Sequence, residues 1–201
     1  MTLDFFEEHH NTLDENFCKH VIEKFEKDSG TFPGVTGAGH DTKIKDSTDL
    51  CFYRDPNWKE EDLIFYEALK KYTTPYIDKY YNNRITNSNI KSYDTGYQVQ
   101  KTTTEQTGYT WHHDAISQIT PNNQVTYRII TFLWYLNTTV GGSGTTEFYD
   151  GTHITPESGK LILFPATWTY AHRGHPPTEG LKYICTGWIY ENIGNMSTNL
   201  G

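Results

Sequence analysis

The sequence has few cysteines, and their spacing excludes a cysteine-based framework. Cys18, Cys51 and Cys185 are the three cysteines among 201 residues, and no two have Cys-x-x-Cys spacing. A disulfide-stapled scaffold and a cysteine-based zinc site are therefore disfavoured, and a reducing compartment is expected. All three thiols are expected to be buried and unreactive.

Long apolar runs and strongly basic segments are also missing. No apolar run approaches the about 18 residues of a membrane-spanning helix, and the start, MTLDFFEEHH, is acidic, unlike a signal peptide. The net charge is −8, which disfavours a nucleic-acid partner. The sequence therefore predicts a soluble, cytoplasmic protein without a membrane partner, either a monomer or a weak homo-oligomer.

The first half of the chain has helical periodicity. Thr12 with Glu15 three residues later is typical of a helix start, and Gly30 ends this apolar pattern. A second helix is expected from Asn57 or Lys59. The apolar residues that suit one face of this second helix are Leu63, Ile64, Tyr66, Leu69 and Tyr72.

The second half is rich in β-branched and aromatic residues. VTYRIITFLWYLN, GKLILFP and GLKYICTGWIYE are typical of buried strands, and glycine-rich turns separate such segments. Short strands at this spacing favour a sandwich or a barrel. The helical first half would then form a layer on one face of it.

The stretch GYTWHHDAIS at residues 108–117 contains two adjacent histidines followed by an aspartate. In an extended chain, His112 and Asp114 point to one side and His113 points to the other. An imidazole and a carboxylate on one side are two of the three ligands of the triad that holds non-haem Fe(II). Taken alone, such a pair more often belongs to an exposed polar turn.

A third ligand has to come from a distant part of the chain. His153 lies in a predicted exposed turn, and His175 lies in a proline-rich loop that is expected at the surface. His172 follows the apolar segment KLILFPATWTYA, which would deliver it to the interior. His172 is therefore the best candidate.

A lysine follows ten residues after His172, in an otherwise apolar strand. Lys182 shares one face of this strand with Thr186, and Thr131 shares one face of its own strand with Tyr135. An ammonium inside a barrel is costly unless an anion meets it. Lys182 therefore either reaches water at the strand end or binds a carboxylate of a small diacid.

Several segments, in this order, resemble the Fe(II)- and 2-oxoglutarate-dependent dioxygenases, in particular their prolyl 4-hydroxylase-like branch. TGYTWHHD resembles the first metal motif, RIITFLWYLN the central strand, and GGSGTTEFYD a turn and the strand after it. GKLILFPATWTYAHRGHPPTEGLKYICTGW resembles the strand, histidine, loop and basic strand that follow. The resemblance covers roughly residues 95–190.

The resemblance implies a fold and a set of cofactors. The fold would be α+β and mainly β: a double-stranded β-helix (jelly roll) with N-terminal helices packed on one sheet. A single domain would span residues 1–201, with helical support over about 1–84 and the jelly-roll core over about 85–192. The enzyme would need Fe(II), 2-oxoglutarate and O2, with ascorbate as a candidate reductant.

The resemblance also implies roles for particular residues. Fe(II) would be held by His112, Asp114 and His172. The far carboxylate of 2-oxoglutarate would be bound by Lys182, Tyr135, Thr186 and Thr131. The substrate side would be lined or approached by Tyr109, Trp111, Arg128 and Trp188.

One position departs from the family pattern. Related enzymes often carry a tyrosine that touches 2-oxoglutarate about ten residues before the first metal histidine. This chain has Thr102 there, so Thr102 or Gln100 would take its place.

The implied reaction is hydroxylation of a substrate, with peptidyl proline as one candidate, and formation of succinate and CO2. The substrate would be a protein, a peptide or a small molecule, faced by the polar segments near residues 30–50 and 115–126, the second as a lid. The alternative is a cupin-like metal-binding jelly roll without 2-oxoglutarate turnover. Cupins typically carry a His-x-His pair, which this sequence lacks.

Overall fold

The strands of the chain build two antiparallel sheets. The computed structural model describes residues 4–53, 55–82, 93–94, 96–120 and 124–195. The helices are α1 (Glu15–Lys27) and α2 (Lys59–Ile77). Shorter helical turns are Pro56–Trp58, Asp78–Asn82, Val140–Gly142 and Trp168–Tyr170. The strands are β1 (Glu7–His9), β2 (Phe32–Pro33), β3 (Lys45–Asp46), β4 (Thr48–Cys51), β5 (Tyr93–Asp94), β6 (Gln98–Thr103), β7 (Gly108–His112), β8 (Ser117–Ile119), β9 (Gln124–Tyr135), β10 (Thr146–Phe148), β11 (His153–Ile154), β12 (Lys160–Pro165), β13 (His172–Gly174) and β14 (Leu181–Asn195).

The larger sheet has the strand order β1-β12-β9-β14-β6-β4-β2, with β5 paired to β14 and β8 paired to β9. The smaller sheet has the order β11-β10-β13-β7-β3. Neighbouring strands in these orders often lie far apart in the sequence, as β14 does between β6 and β9. This crossing-over brings residues from distant segments to one site.

Alternation along β9 separates two hydrophobic layers. Phe132 and Trp134 pack against the helices, in a cluster that includes Phe25 of α1 and Phe65 of α2. Leu133 and Tyr135 point to the opposite side and pack with residues of the smaller sheet, such as Phe148. The predicted jelly roll, mainly β and with helices on one sheet, is confirmed.

The start of α1 differs from the prediction. Asp14, not Thr12, caps the helix, because its Oδ1 accepts hydrogen bonds from the backbone N–H groups of Asn16 (2.8 Å) and Phe17 (3.3 Å). The Thr12 hydroxyl instead donates to the Gly159 carbonyl and accepts from the Trp134 indole, each at 2.8 Å. Thr12 therefore ties the N-terminal segment to the larger sheet.

The buried face of α2 also differs from the prediction. Leu63, Ile64 and Tyr66 are exposed, whereas Phe65 and Leu69 are buried. The buried residues recur at a spacing of three to four, as Glu61, Phe65, Leu69, Thr73 and then Tyr76 with Ile77.

Glu61 lies on the buried face of α2 although it is charged. It is buried because its two carboxylate oxygens bond to His20 (2.6 Å) and Lys24 (2.7 Å) of α1. A hydrophobic pattern cannot reveal such an ion pair between helices.

Two further predictions need correction. Residues 117–119 are not irregular but pair as β8 with the start of β9, residues 121–123 lie outside the described part, and the role of this segment as a lid stays a prediction. Cys51 is exposed, while Cys18 and Cys185 are buried.

Neither described helix is long and apolar enough to cross a membrane. The predicted domain bounds stay a prediction.

Candidate metal centre and active site

The three predicted metal ligands come together between two neighbouring strands. His112 ends β7 and His172 begins β13, and the two residues are direct partners in the antiparallel pairing of these strands. Asp114 Oδ1 lies 3.7 Å from His112 Nε2, and Asp114 Oδ2 lies 3.8 Å from His172 Nε2. One ligand atom from each residue lies within 4.8 Å of the other two.

Backbone carbonyls fix the orientation of both imidazole rings. His112 Nδ1 donates to the Thr110 carbonyl (2.8 Å), and His172 Nδ1 donates to the Tyr170 carbonyl (3.0 Å). Each ring therefore turns the lone pair of Nε2 toward Asp114. This arrangement of a metal-binding histidine is usual in metalloproteins.

A close approach of β7 and β13 permits this pairing. Gly108 has a φ of +78°, and a side chain there would clash with the Gly174 carbonyl oxygen. Glycine is the residue that adopts this conformation without strain. The strand that carries His112 therefore depends on Gly108 to pack closely against the strand that carries His172.

Electrostatics favour the ligand forms of the side chains. Burial and the nearby His172 lower the pKa of His112 to about 3, so its imidazole is neutral at physiological pH. Burial raises the pKa of Asp114, but His172, His112 and the hydrogen bond from Thr131 outweigh it, and the net pKa is lowered. A neutral imidazole and an ionised carboxylate are the forms that bind a cation.

Thr131 holds the Asp114 carboxylate in place. Its hydroxyl donates to Asp114 Oδ2 at 2.8 Å, and both residues are buried. Thr131→Val should lower the affinity for Fe(II) about 10- to 100-fold, the usual loss on removing a group that orients a metal ligand. Anaerobic iron titration would measure this affinity. Thr126→Val, at a buried threonine of the same strand, is the control, and equal affinities in both variants would contradict the assignment.

A cavity that all three ligands line lies between the two sheets. Four alternate residues of β14, from Lys182 to Trp188, line this cavity. The sequence predicts this, because it places Lys182 and Thr186 on one face of the strand. The lining also includes Gln100, Thr102, Thr131, Thr146, Lys182, Thr186 and Trp188.

Lys182 is a buried cation in this cavity. It is 4% exposed, and its Nζ donates to the His175 carbonyl at 3.2 Å. Among the described residues, no carboxylate lies within ion-pair distance of it. Burial lowers the pKa of its ammonium from 10.5 to about 7.

This lowered pKa predicts a pH-dependent stability. Between pH 7 and 10 the unfolded chain keeps the Lys182 proton that the folded chain has lost. Burial of Lys182 therefore destabilises the folded chain most at pH 7, and this destabilisation decreases as the pH rises. Without 2-oxoglutarate, the unmodified protein should have a lower free energy of unfolding than Lys182→Met at pH 7. This difference should shrink toward pH 10. Denaturant unfolding at several pH values would measure it, and a constant difference would contradict the lowered pKa.

The other residues predicted near 2-oxoglutarate occupy different positions. Thr186 lines the cavity and donates its hydroxyl to the Phe132 carbonyl at 2.8 Å. Tyr135 is fully buried and does not line the cavity; its hydroxyl donates to Thr146 Oγ1 at 2.7 Å. The contact of Tyr135 with 2-oxoglutarate thus stays a prediction, and Thr146 stands between it and the cavity.

Two polar lining residues, Thr146 and Ser47, were not predicted. Thr146 lies on the inward face of β10 with Phe148, and strand alternation in TTEFYD could have identified it. Ser47 comes from the irregular segment between β3 and β4, where no periodicity points to a site. Gln100 and Thr102 do line the cavity, and Thr102 lies directly opposite Lys182 in the sheet.

The predicted substrate-side residues surround the metal ligands. Tyr109 stacks on His112, with ring centroids 3.5 Å apart, and Trp111 is exposed. The Arg128 guanidinium lies 3.5 Å from the centroid of Trp188, and its Nε donates to the Tyr190 hydroxyl at 2.8 Å. The roles of these residues in substrate binding stay predictions.

The chain matches a known family over this region. Residues 97–190, which include all three candidate metal ligands and Lys182, match the 2OG-Fe(II) oxygenase superfamily. Over these residues the chain is similar to this superfamily, and the predicted enzyme class, a 2-oxoglutarate-dependent dioxygenase, is confirmed. The chemistry of this superfamily requires Fe(II), 2-oxoglutarate and O2.

Solved structures of prolyl hydroxylases have a similar fold. A viral collagen prolyl hydroxylase from Paramecium Bursaria Chlorella virus-1, in complex with 2OG, is 21% identical with a TM-score of 0.66, covering 94% of this chain and 97% of that chain. A Trichoplax adhaerens prolyl hydroxylase, in complex with a hypoxia inducible factor peptide fragment, is 18% identical with a TM-score of 0.72, covering 94% and 84%. A Pseudomonas putida prolyl-4-hydroxylase is 14% identical with a TM-score of 0.65, covering 91% of each chain. No curated protein sequence matches the chain.

Proposed function

We propose that this dioxygenase hydroxylates a peptide, with peptidyl proline as the first candidate, and forms succinate and CO2. The observation that carries the proposal is the buried Lys182 ammonium, which faces the same cavity as His112, Asp114 and His172. A cation and a metal centre in one cavity suit a diacid that binds at both ends.

The donor set fits Fe(II). Two imidazole nitrogens and one carboxylate oxygen form the facial triad of non-haem Fe(II) oxygenases, which leaves positions open for other ligands. Among the described residues, no fourth histidine, cysteine or acidic side chain joins the group of His112, Asp114 and His172. A cupin-like site would add such a ligand, so the alternative gains no support.

The cavity also fits the cosubstrate. A buried ammonium without a counter-ion costs on the order of several kcal/mol of stability. An anion that pairs with it recovers this cost. The Thr102 hydroxyl lies on the same wall as Lys182 and can donate to a carboxylate oxygen, whereas the Thr186 hydroxyl would first have to leave the Phe132 carbonyl. We assign the far carboxylate of 2-oxoglutarate to Lys182, with Thr186 beside it.

The residues of the chain supply binding and orientation. When bound, Fe(II) supplies the chemistry that couples the reduction of O2 to the oxidation of 2-oxoglutarate and substrate. Thr131 keeps Asp114 in position, and the carbonyl partners of His112 and His172 keep both rings in position. Lys182 fixes the cosubstrate at the end remote from the metal ligands.

Exposed aromatic residues, two of them close in the sequence to His112 and His172, support a peptide substrate. Trp111 is exposed and forms an edge contact with Tyr149, which is 80% exposed, while Trp168 is 74% exposed. Proline-rich peptides commonly dock on aromatic surfaces. The Trichoplax adhaerens enzyme of similar fold has a peptide fragment bound.

Substrate-coupled turnover would test the proposal. The protein, with Fe(II), ascorbate and 2-oxoglutarate, would be incubated with proline-rich peptides and with matched peptides in which alanine replaces proline. Succinate should increase with the proline peptides alone, and each of these peptides should gain the mass of one oxygen atom. Succinate without any peptide oxidation would contradict the substrate class, and no succinate under any condition would contradict the enzymatic reaction itself.

A further inference from the structure

A second group of metal-binding side chains lies in the smaller sheet. Ligand atoms of Glu147, His153 and His175 all lie within 4.8 Å of one another. Glu147 directly follows Thr146, which lines the central cavity, so strand alternation turns Glu147 to the opposite face of β10. The two candidate metal sites therefore lie on opposite faces of one sheet.

Backbone pairing places the three side chains together. Glu147 of β10 and His153 of β11 are direct partners in the antiparallel pairing. His175 follows β13 on the other side of β10, and its backbone N–H donates to the Thr145 carbonyl at 2.9 Å. The group is therefore held by three adjacent segments, not by a mobile side-chain contact alone.

The arrangement leaves one oxygen of Glu147 free for a cation. Arg173 (Nη2, 2.6 Å) and His175 (Nε2, 2.5 Å) both contact Oε2. Oε1 faces His153 Nε2 at 3.9 Å. This separation is too long for a hydrogen bond, but an ion at about 2 Å from each atom would bridge it.

Neighbouring groups hold the ligands in an orientation suited to a metal. Thr145 Oγ1 lies 3.1 Å from His153 Nδ1, which leaves His153 Nε2 toward Glu147. Arg173 holds Oε2 from outside, as outer hydrogen bonds commonly hold a ligating carboxylate. On binding, an ion would replace the proton that His175 shares with Glu147.

We propose that Glu147, His153 and His175 bind a second divalent metal ion, most suitably Zn²⁺. Two imidazoles and one carboxylate with a water molecule complete the four-coordinate geometry that Zn²⁺ prefers. The His153 and His175 side chains are 50% and 33% exposed, so an ion can enter from solvent. This site does not depend on the substrate or reaction proposed above.

Zinc titration of the metal-free full-length protein by calorimetry would test this proposal. His112→Ala/His172→Ala disables the central group, and His153→Ala disables the second one. The double variant should still bind one Zn²⁺ per chain, and adding His153→Ala to it should abolish this binding. His40→Ala, at an exposed histidine before β3, is the matched control and should leave the binding unchanged.

Two outcomes would overturn the proposal. One is that His112→Ala/His172→Ala binds no Zn²⁺ while its thermal unfolding shows an intact fold. The other is that the remaining Zn²⁺ binding survives His153→Ala. Glu147→Gln is a second test, because it keeps the shape of the side chain but loses the carboxylate, and it should also abolish the binding.

Discussion

His112→Ala is expected to abolish 2-oxoglutarate turnover. The variant loses one of three candidate ligands, and its rate of succinate formation should fall by more than the about 10- to 100-fold that follows loss of an outer partner. The remaining Asp114 and His172 would leave an incomplete triad. Succinate formation and anaerobic Fe(II) binding would both be measured, because both should decrease together.

His113→Ala is the matched control for this prediction. His113 is the adjacent histidine of the same stretch, it is exposed, and it does not belong to the group of candidate ligands. Its substitution should leave iron binding and succinate formation close to those of the unmodified protein. Equal losses of iron binding and succinate formation in both variants would contradict the prediction. They would show that a disturbed strand, rather than the missing His112 imidazole, causes the loss.

Lys182→Met should raise the KM for 2-oxoglutarate about 100- to 4,000-fold. Removing one partner of a buried ion pair costs about 3–5 kcal/mol, and each 1.4 kcal/mol corresponds to about tenfold in affinity. Methionine keeps much of the volume of the side chain but has no charge. Steady-state kinetics over a wide range of 2-oxoglutarate concentrations would measure the change.

The effect of Lys182→Met should be confined to the cosubstrate. Anaerobic Fe(II) affinity should be unchanged, because Lys182 is not in the candidate ligand group. Lys101→Met removes a lysine of the neighbouring strand that pairs with Glu26, and it should leave the KM unchanged. A KM in Lys182→Met equal to that of the control would contradict the assignment of the carboxylate to Lys182.

The alternation of residues in the strands predicted which side chains line the cavity. The periodicity of the helices predicted their buried faces less well. Residues of β9 and β14 alternate between the helices and the cavity, so Thr131, Lys182 and Thr186 could be placed on the inner face from parity alone. For α2, the buried Glu61 pairs with α1, and apolar Leu63 is exposed. Periodicity fails there because contacts with another helix decide which face is buried.

The sequence alone could not join the metal ligands. Parity placed His112 and Asp114 on one side, but only the pairing of β7 with β13 puts His172 opposite His112. The apolar segment before His172 made it the best third candidate, and the family resemblance agreed with this choice. Ser47 and the cluster around Glu147 could not be predicted, because they depend on irregular segments and on which strands become neighbours.

Calorimetric titration of 2-oxoglutarate into the anaerobic, Fe(II)-loaded protein tests the central claim most directly. One cosubstrate molecule per chain should bind to the unmodified protein and to His113→Ala. Binding should be undetectable for His112→Ala and much weaker for Lys182→Met. Equal binding of 2-oxoglutarate to the unmodified protein and to His112→Ala would contradict the claim that this cavity holds the metal and its cosubstrate.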